Sequence, residues 1–421
     1  MDLSQKKVTV IGLGRSGQAA ARLLFRRNAV VRLSEQSAQA DINEDFIQWA
    51  RERQIPIEHG HTAEFVTDSD LLIISPGVRI DAQPVRWARE KNIPVWSELE
   101  LAARFCPARI IAVTGSNGKT TVTTLIKEIL VKAGRRAITA GNIGSPLSDF
   151  VHELSDESWA VLEVSSFQLE TIDRFKPHVA VFLNFSQNHL DRHKDLKEYF
   201  QAKKRLFLNQ NENDFAVLNA ADERVRMLAG ELNARVVYFN GGDPDEELLG
   251  ANPNFKAAYR AARVIGIDPG LCVAVCQNFK GVEHRLEKVR CLGGIEFIND
   301  SKSTTVEAGR WALERIDKPI IMICGGRDKH IDFSPLRDLV SRKVKHLIVI
   351  GESRDKITRT FRSVVDTRQK DDLAQALHVA RELARSGDCV LLSPMCASFD
   401  MFLNYEERGR IFKDLVKNLP E

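Results

Sequence analysis

The sequence predicts an α/β protein of three domains, and three observations carry that reading. Short β-branched runs alternate along the chain with amphipathic stretches of helical spacing, the pattern of parallel sheets covered by helices on both faces. Two glycine-rich loops each close an apolar run, as phosphate-binding turns between strand and helix do. A chain of 421 residues is too long for one hydrophobic core. Punctuation at Phe105-Cys106-Pro107-Ala108 and at Gly281-Val282-Glu283-His284-Arg285 divides it. The expected domains are 1–106, 107–282 and 283–421.

The runs read as strands are 8–11, 30–33, 71–74, 110–113, 159–164, 179–184, 215–218, 235–239, 319–324, 346–350 and 388–392. Helices are expected over 18–27, 119–133, 196–208, 255–265, 305–315 and 372–385. Cys272 and Cys276, four apart in an apolar stretch, belong on one face of a further helix. Asn240-Gly241-Gly242-Asp243-Pro244-Asp245 reads as a turn.

Composition narrows the class. Hydrophobic residues make up 43% and charged residues 28%, an ordinary globular balance. The net charge of +3 gives no electrostatic case for nucleic acid or a membrane surface. Seven cysteines, an odd number without paired zinc spacing, read as reduced thiols in a cytoplasmic protein. No apolar stretch is long enough to span a bilayer, and the first residues run into a strand with no signal peptide.

In the first loop, Gly12, Gly14 and Gly17 match G-x-G-x-x-G after the run Val8–Ile11. The first glycine permits a tight turn, the second admits a phosphate, and the third lets helix pack on strand. Arg15, Ser16 and Gln36 lie beside it, and Glu35 follows the next run at the distance of a ribose contact. Three readings stay open: a nicotinamide dinucleotide, another nucleotide diphosphate, or a tight turn alone. Ser75-Pro76-Gly77 closes another run at the end where open sheets bind ligands.

The second loop, Thr114-Gly115-Ser116-Asn117-Gly118-Lys119-Thr120-Thr121, departs from the standard P-loop pattern because Val113 stands at its first glycine. It keeps what the chemistry needs. Backbone N–H groups at a helix start cradle phosphates, Lys119 neutralises charge, and the Thr120 hydroxyl can ligate Mg²⁺. ATP is the ligand expected. Glu163, at the tip of 159–163, reads as a second metal ligand, the alternative being a carboxylate favoured by a helix dipole. His189, in a polar cluster after 179–183, reads as functional against a structural histidine. Polar loops after three C-terminal runs carry Asp300, Lys302, Thr304, Lys329 and Ser398. Their convergence on one sheet edge would make Lys302 and Lys329 anion holders, where solvated loop lysines are the plainer reading.

Together these motifs resemble the Mur ligase family of peptidoglycan synthesis, ATP-dependent amide-forming enzymes. Thr-Gly-Ser-Asn-Gly-Lys-Thr-Thr is similar to that family's P-loop. Gly-Leu-Gly-Arg-Ser-Gly, Ser-Pro-Gly, Gly-Asn-Ile-Gly at 141–144, Glu-Val-Ser-Ser-Phe-Gln-Leu-Glu and Asn-Asp-Ser-Lys resemble most its D-glutamate-adding branch. The resemblance runs in order over nearly the whole chain. It implies an N-terminal Rossmann-like UDP-binding domain, a central P-loop ATPase domain with a mainly parallel sheet, and a C-terminal Rossmann-like domain.

It further implies that ATP phosphorylates the carboxylate of UDP-N-acetylmuramoyl-L-alanine and that the D-glutamate amine attacks the acyl phosphate. By motif, Lys119, Thr120, Glu163 and His189 serve ATP and Mg²⁺. Lys203 matches a lysine carbamylated to face the metal, the alternative being a helix-surface lysine. Asn142 matches a substrate contact, Asn254 an adenine contact, and Arg285 and Asp300 groups near the ATP phosphates and ribose. His284, Lys302, Thr304, Lys329, Ser398 and Tyr405 match positions around D-glutamate. A monomer is expected.

The sequence departs from the family pattern at Gln187-Asn188, where acidic residues usually precede the histidine, and at Ser34-Glu35-Gln36, usually led by aspartate. Tyr405 stands where phenylalanine is common. The competing functions are a sibling or folylpolyglutamate synthase-like ligase, an oxidoreductase using the first loop, and a non-catalytic paralogue.

Overall fold

The computed structural model describes residues 2–37, 42–186, 192–242, 244–328 and 331–420. It forms two compact units, Met1–Phe279 and Lys280–Glu421, carrying three sheets between them.

In the first unit, β1 (Lys7–Ile11), β2 (Val30–Glu35), β3 (Ile57–His59), β4 (Leu71–Ile74) and β5 (Val95–Ser97) make a parallel sheet of order 3-2-1-4-5. The second sheet is built from β6 (Arg109–Thr114), β7 (Ala137–Gly141), β8 (Trp159–Glu163), β9 (Val179–Phe182), β10 (Phe215–Asn219) and β11 (Arg235–Phe239). Its order is 11-10-9-6-8-7, again parallel throughout. The central strands are buried along nearly their whole length, which is why they read as continuous apolar runs.

One buried cluster joins these two sheets. It runs from Val8, Val10 and Leu33 through Leu99, Leu101 and Ala102 into Ala112, Leu147 and Leu162. The helix Glu98–Phe105 is the connector: Ser97 caps its N-terminus, and Glu98 Oε1 accepts the Ser148 N–H at 2.8 Å. A shared core makes the two sheets one compact unit.

The second unit holds β12 (Glu287–Leu292), β13 (Ile295–Asn299), β14 (Ile320–Gly325), β15 (Val344–Ile350), β16 (Asp366–Gln369) and β17 (Cys389–Leu392), ordered 12-13-17-14-15-16. The parallel expectation is corrected at its edge. β12 and β13 pair antiparallel because Gly293-Gly294, both at positive φ, turn the chain straight back. Strands β3, β5, β7, β12, β13 and β16 lie outside the predicted runs; three are only three or four residues long and partly exposed, too short for an alternation to register.

All seven cysteines are free, and Cys272 and Cys276 lie buried on the helix Pro269–Gln277. Among the described residues no helix is long and apolar enough to cross a membrane.

In each sheet the strand order reverses beside one strand: between β1 and β4, between β6 and its neighbours β8 and β9, and between β17 and its neighbours β13 and β14. Loops diverge at such switch points and leave crevices at the strands' carboxyl ends. The two phosphate-type glycine loops and the polar loops that begin at Ser75, Asn184, Asp300, Gly326 and Ser393 each follow one of those strands.

Candidate active site

At the first switch point, Gly12–Gly14 leads from β1 into the helix Arg15–Arg26. Gly17 sits so close to the turn that a Cβ there would overlap the Gly12 carbonyl oxygen. Ser75 Oγ donates to that same carbonyl at 2.7 Å, tying the two loops together. Glu35, at the end of β2, accepts the Leu13 N–H at 2.6 Å and the Gln36 N–H at 2.8 Å. Its carboxylate therefore braces the glycine loop as well as facing the cavity.

That cavity measures about 780 Å³ and is lined by Gly14, Arg15, Ser16, Glu35, Gln36, Ser75, Gly77 and Asn142. Gly17 shapes the loop from behind and does not line it. His61, Trp87 and Gln168 also line it. The first two were missed, having no motif around them. His61 hydrogen-bonds Ser34 Oγ at 2.7 Å, and burial lowers its imidazole pKa against the pull of Glu35 and Glu58.

At the second switch point, Gly118 (φ 85°) caps the helix Lys119–Lys132. Asn254 Oδ1 packs against Gly118 so closely that any side chain there would collide with it. The adenine-contact candidate is thus brought to the phosphate loop. Asn184, following β9, clamps Asn117 from both sides: its Oδ1 accepts the Asn117 N–H at 2.9 Å and its Nδ2 donates to the Asn117 carbonyl at 3.1 Å. Ser116 Oγ donates to the Ser186 carbonyl and accepts the Ser186 N–H. Lys119 Nζ folds over the loop, donating to the carbonyls of Gly115 and Ser116 at 2.9 and 3.1 Å. Thr121, half-buried, follows in the same helical turn.

Glu163 ends β8, buried, with each carboxylate oxygen engaged. Oε2 accepts the Thr120 hydroxyl at 2.7 Å and Oε1 accepts Asn142 Nδ2 at 2.7 Å. One carboxylate therefore bridges the phosphate loop and the first cavity, which Asn142 lines.

Lys203, near the end of the helix Leu196–Lys204, is 1% exposed. The helix-surface alternative is excluded. Its Nζ donates to the Gly115 carbonyl at 3.0 Å and lies 4.8 Å from the Tyr199 ring centroid. Burial, then the nearby Lys119 cation, hold its amine well below the usual lysine range, while Glu163 pulls the other way. His189 lies outside the described residues, as do Gln187, Asn188 and Lys329.

In the second unit, the loops after β13, β14 and β17 carry the polar residues. His284 (φ 63°) accepts the Lys302 N–H at its carbonyl, 3.0 Å, and its Nδ1 lies 2.9 Å from Asn299 Nδ2. Tyr405 meets the His284 ring edge-on at 6.2 Å, and Lys302 Nζ stands 5.7 Å from the Tyr405 ring centroid. Burial lowers the His284 pKa, with Glu283 and Glu287 opposing. Thr304 donates its N–H to the Lys302 carbonyl, and Ser398, buried, accepts the N–H groups of Met401 and Phe402.

Asp300 is pushed up to about 7 by burial, although the Ser393 hydroxyl and the Leu286 N–H donate to it. Arg285 lies one residue from Leu286, its guanidinium 4.9 Å over the Trp311 ring. Sequence reasoning missed Arg408. Buried, it donates to Ser301 Oγ (3.0 Å), the Ser301 carbonyl (2.8 Å) and the Cys396 carbonyl (3.3 Å), bracing the loops after β13 and β17. An arginine on the amphipathic helix Tyr405–Lys417 gives no local sign of facing inward.

Comparison with known proteins agrees over the chain. Residues 6–97 match the Mur ligase MurD-like N-terminal domain, 113–270 the Mur ligase middle domain, and 284–396 the Mur ligase glutamate ligase domain. The chain is 39% identical over 454 aligned residues to the UDP-N-acetylmuramoylalanine–D-glutamate ligase of Koribacter versatilis, covering 100% of this chain and 99% of that one. To the protein of the same name from Geotalea uraniireducens it is 40% identical over 450 residues, with the same coverage. Among solved structures it is similar to the UDP-N-acetylmuramate-alanine ligase of Thermotoga maritima, at 18% identity and a TM-score of 0.57 over 98% of this chain and 99% of that one. It is also similar to MurF from Acinetobacter baumannii, at 16% identity and a TM-score of 0.58 over 92% and 91%. These two likenesses concern the fold.

Proposed function

The chain belongs to the Mur ligase family, and from that premise we propose that it joins D-glutamate to UDP-N-acetylmuramoyl-L-alanine at the expense of ATP, in the cytoplasm. The observation that carries the reading is the Glu163 bridge. A carboxylate that accepts from the phosphate-loop threonine and from a cavity-lining asparagine links the two ligands a carboxylate kinase must bring together.

The UDP-substrate occupies the cavity of the first sheet, its pyrophosphate over Gly14–Ser16 at the start of the helix, where N–H groups and Arg15 offer positive charge. ATP lies along Gly115–Thr121, with Asn254 toward the adenine. Lys119, on meeting the triphosphate, exchanges its two carbonyl acceptors for phosphate oxygens. The γ-phosphoryl passes to the alanyl carboxylate: a P–O bond to ADP breaks and one to the carboxylate forms. The amine of D-glutamate then attacks the acyl carbon, the amine proton leaves, and phosphate departs from the tetrahedral intermediate. Positioning and cations carry most of such a reaction.

The donors fit Mg²⁺, since Thr120 and Glu163 present hard oxygens side by side. These residues would hold Mg²⁺, which would supply positive charge to the transferring phosphoryl. His189 and a carbamylated Lys203 complete the proposed set. Burial shifts the Lys203 amine toward the neutral form, the form that adds CO₂. In the second unit, His284, Lys302, Thr304, Lys329, Ser398 and Tyr405 hold D-glutamate, while Arg285 and Asp300 serve ATP. The proposed division is 1–106, 107–282 and 283–421, for UDP-substrate, ATP and D-glutamate respectively.

The test is phosphate release by purified protein with Mg²⁺-ATP, UDP-N-acetylmuramoyl-L-alanine and a panel of amino acids. D-glutamate alone should support it. Release with L-lysine or meso-diaminopimelate and none with D-glutamate would sink the reading, as would micromolar binding of a nicotinamide cofactor lost on Gly14→Val.

A further inference from the structure

Arg192 holds together two loops that face different ligands. Its Nη2 donates to the Val78 carbonyl at 2.9 Å and to Glu170 Oε2 at 2.8 Å, and its Nη1 to the Gly77 carbonyl at 3.4 Å. The guanidinium lies 4.7 Å over the Phe167 ring. The pair is largely desolvated, with side-chain exposures of 10% for Arg192 and 7% for Glu170.

The two sides of this clamp have separate business. Gly77 and Val78 line the first cavity, on the loop after β4. Phe167 and Glu170 belong to the short turn that follows Glu163. That turn is stiff, because Ser165 and Gln168 exchange side-chain and backbone hydrogen bonds in a capping box. At its start, Glu163 receives the phosphate-loop threonine; along its length, Gln168 lines the cavity.

A buried ion pair adds little net stability, since desolvation offsets its attraction. What a planar guanidinium adds is fixed geometry between several acceptors, which a lysine cannot reproduce. We infer that Arg192 is a positioning residue coupling the two nucleotide sites: filling the cavity sets the Gly77–Val78 loop, and through Arg192 and Glu170 sets the turn carrying the Glu163 carboxylate. The inference rests on the assignment of the two cavities to a UDP-substrate and ATP. By linkage, each ligand then raises the affinity of the other by one common factor.

Calorimetry with UDP-N-acetylmuramoyl-L-alanine and a non-hydrolysable ATP analogue, each alone and in the presence of the other with Mg²⁺, measures that factor without turnover. The intact protein should show about fivefold or greater mutual tightening. Arg192→Met should bring the factor to near one while affinity for the ATP analogue alone stays unchanged, and Arg192→Lys should lie between. In steady state, with the other substrate saturating, Arg192→Met should raise KM for the UDP-substrate and KM for ATP by that common factor and lower kcat. Should the methionine variant fail to fold, Glu170→Gln, which keeps shape and removes charge, carries the same test. A coupling factor that survives in Arg192→Met, or in Glu170→Gln where the first does not fold, overturns the inference, as does a factor of one in the intact protein. Absence of D-glutamate-dependent phosphate release from the intact protein would instead strike the proposed function.

Discussion

Lys203 and Lys119 share one acceptor: the Gly115 carbonyl takes a hydrogen bond from each, at 3.0 and 2.9 Å. Two cations converging on one oxygen is unfavourable, and the buried partner, Lys203, is the one driven toward its neutral form. Conversion of Lys203 to a carbamate replaces that repulsion with attraction to Lys119 and to a metal. Activity should therefore fall when CO₂ is removed and return with bicarbonate. Lys203→Ala should lower turnover at least ~100-fold. Labelled bicarbonate should give a carbamate carbon signal in the intact protein and none in the variant; full activity without CO₂ removes the carbamate from the account.

Lys119→Ala should separate the two nucleotide sites. Loss of the cation proposed to stabilise the phosphoryl group should lower kcat about 10³-fold. The first cavity, which Lys119 does not line, should bind the UDP-substrate within about twofold of the intact protein, a factor worth only ~0.4 kcal/mol. Equal loss of both affinities, read by calorimetry, would contradict the separation.

Gly17 and Gly14 should answer differently to alanine. At Gly17 a Cβ would overlap the Gly12 carbonyl, so Gly17→Ala should cost about 2–3 kcal/mol of stability through forced displacement of the loop. Around Gly14 there is open space, so Gly14→Ala should leave the melting temperature near that of the intact protein and weaken UDP-substrate binding by intruding on the cavity. Similar melting temperatures for the two variants would refute the close-packing role of Gly17.

Asp300 should make the folded protein more stable in acid, on its own account. Its folded pKa is raised from 3.8 to about 7, chiefly by burial, so the folded chain binds this proton more tightly than the unfolded chain. The stabilisation is full below about pH 4 and is lost as pH rises from 3.8 through 7. The displacement is worth ~4 kcal/mol at most. Asp300→Asn should therefore raise denaturant stability at pH 8 and leave it little changed near pH 4; an equal effect at both would rule out ionisation as the cause.

Most strands that lead into candidate ligand loops were legible because they are central; β7 and β13, which lead to Asn142 and Asp300, were not. β1, β4, β6, β8, β9, β14 and β17 are buried along nearly their whole length and show up as largely apolar runs, with glycine or polar clusters at their ends. Edge and short strands such as β3, β5 and β16 are half-solvated, and nothing in their composition separates them from loop. Spacing alone placed Thr120 at a helix start and Glu163 at a strand tip, but it left open whether they meet.

By itself the sequence determined the alternation of strand and helix, the two phosphate loops and the family, because each is written within a few consecutive residues. Only the tertiary structure decided that Glu163 joins Thr120 to Asn142, that Lys203 is buried against Gly115, and that Arg192 and Arg408 face inward. Those facts depend on which strands become neighbours and which helix face meets the sheet. They are settled by burial summed over a whole core, and no single segment contains them.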